Sequence, residues 1–215
     1  MAPSRRRSYA VSAAVAWISG GLAYLILEAV AAVAFRPHYS YVRNLISDLG
    51  ATSPRAWLMN TAFCVQGTLF LVGAVLAVRA VDARKTRLFL ALASANAVGN
   101  LLIATFHTGP TGTAWVHASG AVLAIAGGNA AILAGSCVVS GPAWYRKVSI
   151  CLGGFGLGSF TMFAIESTAT AVHLLPPAVW ERCSVCPITT WQLFTGAWLL
   201  LSRQPILSRA RARRA

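Results

Sequence analysis

The placement of positive charge constrains this chain more than any other feature. Of its 18 Lys and Arg residues, fourteen fall in four short segments. Arg5, Arg6 and Arg7 form the first, and Arg79, Arg84, Lys85 and Arg87 the second. Arg146 and Lys147 form the third, and Arg203, Arg209, Arg211, Arg213 and Arg214 the fourth. Between and around them lie apolar stretches near the ~20 residues that a helix needs to cross hydrocarbon. Six can be drawn, from about Tyr9 to Phe35, Ala56 to Val78, Leu88 to Phe106, Ala114 to Val139, Val148 to Ala169 and Pro187 to Leu201. With six crossings the four basic segments share one side, and basic flanks mark the cytoplasmic side of a membrane protein. An odd number would place the two Arg-rich ends on opposite sides. The pattern predicts an all-α integral membrane bundle of six transmembrane helices, with both termini cytoplasmic and basic tails over about 1–8 and 203–215.

Composition excludes other classes. The chain is 57% hydrophobic and 11% charged, whereas a soluble domain carries about 25% charged residues. A net charge of +13 on a polar fold would suit nucleic acid. Here the basic residues flank apolar runs, so membrane lipids are the expected partners and nucleic acid is not. The first apolar run is too long for a cleavable leader and lacks a convincing exit site, so it is expected to stay as a span. The Arg/Ala-rich tail reads as a solvated anchor near anionic headgroups. Neither a linker nor an internal repeat divides the sequence, and residues 1–215 are expected to form one domain.

Polar groups gather toward the other side. In the connection from Arg36 to Arg55, Pro37 ends the first helix, Ser47 and Asp48 suit a cap or turn, and Gly50 suits positive φ. Tyr39, Ser40, Arg43, Asn44 and Ser47 crowd the same segment. Together with Glu181 and Arg182 before the last span, they are candidates to hold a substrate. Glu28 and Glu166 lie in the outer part of the first and fifth spans, where an ionisable group faces the bundle interior or a cavity. Each either pairs with an Arg, such as Arg36 or Arg43, or is a carboxyl able to give or take a proton. Asp48, His107 and His117 complete the acid/base candidates.

Metal and redox signals are weaker. His107, His117 and His173 with Asp48 would offer zinc ligands, but HExxH spacing is missing, so no cofactor is the first expectation and zinc the second. Cys183 and Cys186 form a CxxC that would oxidise or bind metal outside the cytoplasm. Cys64, Cys137 and Cys151 read as packing residues. Trp57, Trp115, Trp180 and Trp191 are placed near the outer interface, as an aromatic belt requires. The chain holds no GxGxxG, P-loop or GxSxG.

The stretch from Tyr39-Ser40 through Asn44 to Ile46-Ser47-Asp48-Leu49-Gly50, then Asn60 and Gly67, resembles the bacterial membrane family of domain of unknown function 998. Gly99, Phe106-His107, His117 with Gly120, and Glu181-Arg182 are similar to it as well. The resemblance covers nearly the whole chain and implies six spans in a bacterial inner membrane, with no activity attached. A distant analogy joins the outer Ser, Asp and His residues to the alkaline-ceramidase-like membrane hydrolases, although their HxxxH motif is absent.

Three functions compete. The first is an enzyme acting on a lipid or isoprenoid in the outer half of the membrane, by headgroup hydrolysis or transfer or by acid-initiated cyclisation. Glu28, Asp48, Glu166, His107 and His117 would move protons, and Arg43 and Arg182 would hold an anionic headgroup. The second is a non-catalytic lipid-binding or accessory subunit. The third, a small-solute transporter, is disfavoured because the cytoplasmic half of the spans is almost free of ionisable groups and no repeat symmetry is visible.

Overall fold

The computed structural model describes residues 3–81, 86–107, 112–168 and 174–202. Arg84, Lys85, His173 and the basic residues from Arg203 onward, on which part of the charge and metal expectations rest, lie outside the described residues. The described residues form seven helices and no strand: α1 (Pro3–Ala34), α2 (Ile46–Ala51), α3 (Ala56–Ala80), α4 (Thr86–Thr105), α5 (Ala114–Val138), α6 (Ala143–Thr168) and α7 (Pro177–Leu201). Five of these, α1, α3, α4, α5 and α6, are long and apolar enough to cross a membrane. α7 also has 25 residues but is more polar, carrying Glu181, Arg182 and Gln192.

The last helix differs from its expected start at Pro187. It begins at Pro177, with Pro187 inside it. A proline cannot donate to the carbonyl four residues back, so the ladder is interrupted at Cys183. Beside that gap, Asn129 Nδ2 donates to the Ser184 carbonyl at 2.8 Å. A neighbouring helix thus supplies polar company for the broken turn, as a membrane interior demands.

The six long helices close into a ring in chain order, each packed on the next and α7 on α1. α7 runs antiparallel beside α1. Arg182 meets Glu28 at one end, Gln192 lies against Gly20, and Gly196 lies against Ala14 and Ile18 at the other. At ~1.5 Å per residue the contact runs for about 21 Å. Arg5, Arg6, Arg7, Arg79, Arg87, Arg146 and Lys147 sit at the end of the ring that holds the start of α1. Glu28, Asp48, Glu166, Glu181, His107 and His117 sit toward the opposite end, called the outer end below.

Lipid tails are as apolar as leucine, so such helices are held by close packing and interhelical hydrogen bonds. α4 and α5 illustrate the first. A Cβ on Gly99 would run into the backbone of Ala124 and Gly120, and one on Gly120 would lie 3.1 Å from the Gly99 carbonyl. The inner half is packed by aromatics. Trp17, Phe70, Phe89, Tyr145 and Trp191 are fully buried in one cluster. Trp191 therefore does not belong to an interfacial belt. Its ring meets Trp17 edge-on at 5.2 Å, and its Nε1 donates to Ser149 Oγ at 3.0 Å. Trp57 and Trp115 are exposed, at 64% and 71%, as belt residues should be. Cys137 and Cys151 are exposed on the outside of the ring, so they do not pack the core.

Candidate functional site

The connection between α1 and α3 is built by its polar residues. The Asn44 side-chain oxygen accepts from Ser40 N at 2.9 Å. Tyr39 Oη donates to the Leu45 carbonyl at 2.9 Å, and burial pushes its phenol well above the ordinary range, so it remains a donor. α2 then starts at Ile46. Asp48 Oδ2 reaches back to Leu45 N at 2.8 Å, and Glu181 Oε2 from α7 takes Ile46 N at 2.5 Å. Two carboxylates thus answer the free N–H groups of this short helix, where negative charge is favoured. Gly50 does not take positive φ; it is helical. It is small because the Asn60 side chain occupies the space its Cβ would need. Ser47 and Asp48 thus belong to a helix, not to a bare turn.

Glu28 finds its partner across the ring. Arg182 Nη1 donates to Glu28 Oε1 at 2.5 Å, with both side chains largely buried. Neither Arg36 nor Arg43, the partners expected from the sequence, makes this pair. The Arg182 guanidinium also donates to the Tyr41 carbonyl at 3.0 Å through Nε and to Tyr39 Oη through Nη2. It lies 4.5 Å from the Tyr41 ring centre and 5.4 Å from that of Tyr39, within cation–π range. Three of its five N–H donors are thus used within the protein, and Arg182 ties α1, the loop and α7 together. Arg43 lies exposed in the loop.

The histidines stay apart. Asn60 Nδ2 lies 2.9 Å from His107 Nε2 and 3.1 Å from the Gly50 carbonyl. With the amide donating to both, His107 Nε2 is an acceptor. His117 Nδ1 faces the Phe106 carbonyl at 2.7 Å, which can only accept, so that nitrogen carries the proton. Among the described residues no three His, Cys, Asp or Glu side chains gather as a metal ion requires. Cys183 and Cys186 are free thiols on one helix. Glu166 is placed elsewhere, its Oε1 taking Leu174 N at 3.0 Å.

Inside the ring, under α2, lies a cavity of about 50 Å³. Tyr24, Ser47, Gln66, Asn96, Asn100, His117 and Glu181 are its polar lining, and Phe63, Ile103 and Ile188 are among its apolar lining. Of the residues singled out from the sequence, Ser47, His117 and Glu181 meet here. Glu28, Asp48, His107, Glu166, Tyr39, Ser40, Arg43, Asn44 and Arg182 do not line it. Tyr24 Oη, Gln66 Oε1 and Asn96 Oδ1 are buried without a partner, although such groups are nearly always paired in a folded protein. Sequence reasoning passed over Tyr24, Gln66, Asn96 and Asn100. The signal was available: uncharged amides and a phenol inside apolar spans mark either helix contacts or a site. A wider groove of about 530 Å³ runs along the outside of α1, lined by Val30, Val33, Arg36, Pro54 and Arg55, with no carboxylate or imidazole. The titratable groups His117 and Glu181 line the smaller space.

Apolar helices of spanning length, ringed around a buried polar cavity, define the class as a helical membrane protein. Residues 17–198 match the model of the family described as protein of unknown function (DUF998), and the chain belongs to that family. No curated protein and no solved structure matches it.

Proposed function

We propose that the chain is a single-domain, six-span protein of the bacterial cell membrane. It admits the polar end of a lipid or isoprenoid to its outer half and performs acid/base chemistry there. α7 is the sixth span in this reading, because it follows α1 for most of its length. The basic end faces the cytoplasm by the positive-inside rule.

The observation that carries the reading is that Glu181 and His117 line one buried cavity. His117 spends Nδ1–H on Phe106, which leaves Nε2 as a base, and Glu181 supplies a carboxyl within the same lining. Volume separates the two chemistries. Pockets that enclose a drug-sized ligand measure roughly 300–1,000 Å³, far above the ~50 Å³ here. A polyprene would not fold inside it, whereas a headgroup fragment fits with its tail left in the bilayer. Headgroup hydrolysis or transfer is therefore favoured over cyclisation.

The test is lipid profiling of a deletion strain carrying the wild-type chain, Glu181→Gln or His117→Gln. Wild type should restore the parental profile, and either variant should leave one lipid species accumulated. Full restoration by both variants at equal expression sinks the enzymatic reading. The accessory-subunit reading has its own support, since each outer-half carboxylate already has a protein partner: Glu28 with Arg182, Asp48 with Leu45 N, Glu166 with Leu174 N and Glu181 with Ile46 N. It predicts that full restoration.

A further inference from the structure

The polarity of the cavity lining is set by how its donors are used. Asn96 Nδ2 donates to the Ala124 carbonyl at 2.6 Å. Asn100 Nδ2 donates to the Asn96 carbonyl at 2.9 Å, and His117 Nδ1 donates to the Phe106 carbonyl at 2.7 Å. Each partner is a backbone carbonyl, which can only accept, so neither amide can be turned round and the proton on His117 Nδ1 is fixed. The atoms left over are Asn96 Oδ1, Asn100 Oδ1 and His117 Nε2, all acceptors. Asn96 is 1% exposed, and its Oδ1 has no partner. The fourth wall is Glu181, a carboxylate 7% exposed. Tyr24, 3% exposed, adds a hydroxyl whose oxygen is unpartnered. Charge points the same way. Glu28 and Glu181 bring two carboxyl groups, and the Arg182 guanidinium bonds to that of Glu28.

A space lined by these acceptors and the Glu181 carboxyl, with the Tyr24 and Ser47 hydroxyls able to donate or accept, disfavours phosphate, sulfate or carboxylate. It welcomes a compact cation rich in N–H donors. We propose that this cavity is a binding site for a protonated primary amine, with Glu181 as counter-ion and Asn96, Asn100, His117 and Tyr24 as hydrogen-bond acceptors. The proposal rests on the reading of the cavity as the place where the polar end of a substrate enters, and it names the chemistry of that end. About 50 Å³ suits an ammonium with its first carbon or one to two waters, since one water occupies ~30 Å³ of liquid. The amine arrives either as a lipid headgroup or as a free solute.

Thermal unfolding of the full chain in detergent, with salt held constant, tests the chemistry. Ethanolamine hydrochloride should raise Tm by about 2–4 °C near saturation. Choline has the same charge but no N–H, and ethylene glycol is of similar size with hydroxyl donors but no charge, so neither should do so. Tyr24→Phe removes a hydroxyl that no protein group needs, so it should fold as wild type and bind ethanolamine several-fold more weakly. Glu181→Gln keeps an oxygen for Ile46 N and should weaken binding about tenfold.

Native mass spectrometry from mixed phosphatidylethanolamine and phosphatidylcholine micelles identifies the source. Preferential retention of phosphatidylethanolamine assigns a lipid headgroup, and equal retention with a positive ethanolamine shift assigns a free amine. Equal response to choline, or no ethanolamine shift in a folded wild-type chain, overturns the proposal. Amine binding without any change in cellular lipids would remove the enzymatic reading and leave this site standing; the reverse result would remove this site alone.

Discussion

The two halves of the bundle treat their polar groups in opposite ways. Toward the basic end, every polar tip among the large aromatics is paired. Trp17 Nε1 donates to the Phe70 carbonyl at 3.1 Å, Trp191 Nε1 to Ser149, and Tyr145 Oη lies 3.0 Å from Thr195 Oγ1. Toward the outer end, Tyr24 Oη, Asn60 Oδ1 and Asn96 Oδ1 are buried without partners around a cavity and its rim. A buried polar group costs about 1–3 kcal/mol when left unpaired. The fully buried aromatics of the inner half thus spend their polar atoms within the protein, whereas the Tyr24 hydroxyl of the outer half does not. A half-satisfied polar region inside a well-packed bundle is better evidence of a site than any single titratable residue.

That contrast can be broken by matched substitutions. The largest effect is expected for Trp191→Ala, which empties a fully buried position between Trp17, Phe70 and Phe89. A loss of about 3–5 kcal/mol should appear as a collapse of folded yield and of Tm in detergent. Arg182→Ala should rank next, because it strands Glu28 largely buried without its counter-charge, at a cost of about 3 kcal/mol. The double variant Arg182→Ala with Glu28→Gln should recover part of that loss, and no recovery would mean that the tyrosine contacts of Arg182 matter more than its charge. Gly99→Ala should cost about 1–3 kcal/mol by pushing α4 off α5.

The smallest effects are the most informative. Tyr145→Phe should cost about 1 kcal/mol, the worth of its contact with Thr195. Tyr24→Phe should change stability by less than about 0.5 kcal/mol, because its hydroxyl has nothing to lose. Equal losses for the two tyrosines in calibrated unfolding would erase the distinction between the halves.

Much of the scaffold was legible because lipid imposes one rule on every segment, namely that backbone groups must bond within a helix. The six apolar runs fall on α1 and α3 to α7, and Arg5, Arg6, Arg7, Arg79, Arg87, Arg146 and Lys147 of the basic flanks lie at one end. α7 was read ten residues short because Glu181 and Arg182 resemble a loop by hydropathy, while the structure buries Glu181 and pairs Arg182 with Glu28. α2 was read as a turn because its Ser-Asp-Leu-Gly sequence carries turn formers; a carboxylate 135 residues away completes its cap. The outer-end placement of Glu28, His117 and Glu181 followed from spacing alone. Their partners did not, because pairing across a ring depends on helix rotation, which weakly amphipathic spans do not encode. The cavity itself was hidden for a related reason: Asn96 and Asn100 are informative only once their N–H groups are seen to be spent on neighbouring carbonyls.

The bond between Glu28 and Arg182 joins positions 154 residues apart, so most of the polypeptide must be synthesised before it can form. Until α7 packs against α1, Glu28 lacks its counter-ion, α2 lacks half of its cap, and the circle of helices stays open between α1 and α6. Closure of the circle therefore waits on α7. A chain stalled or cut before residue 182 would leave Glu28 in its first helix without the counter-charge it meets in the finished bundle.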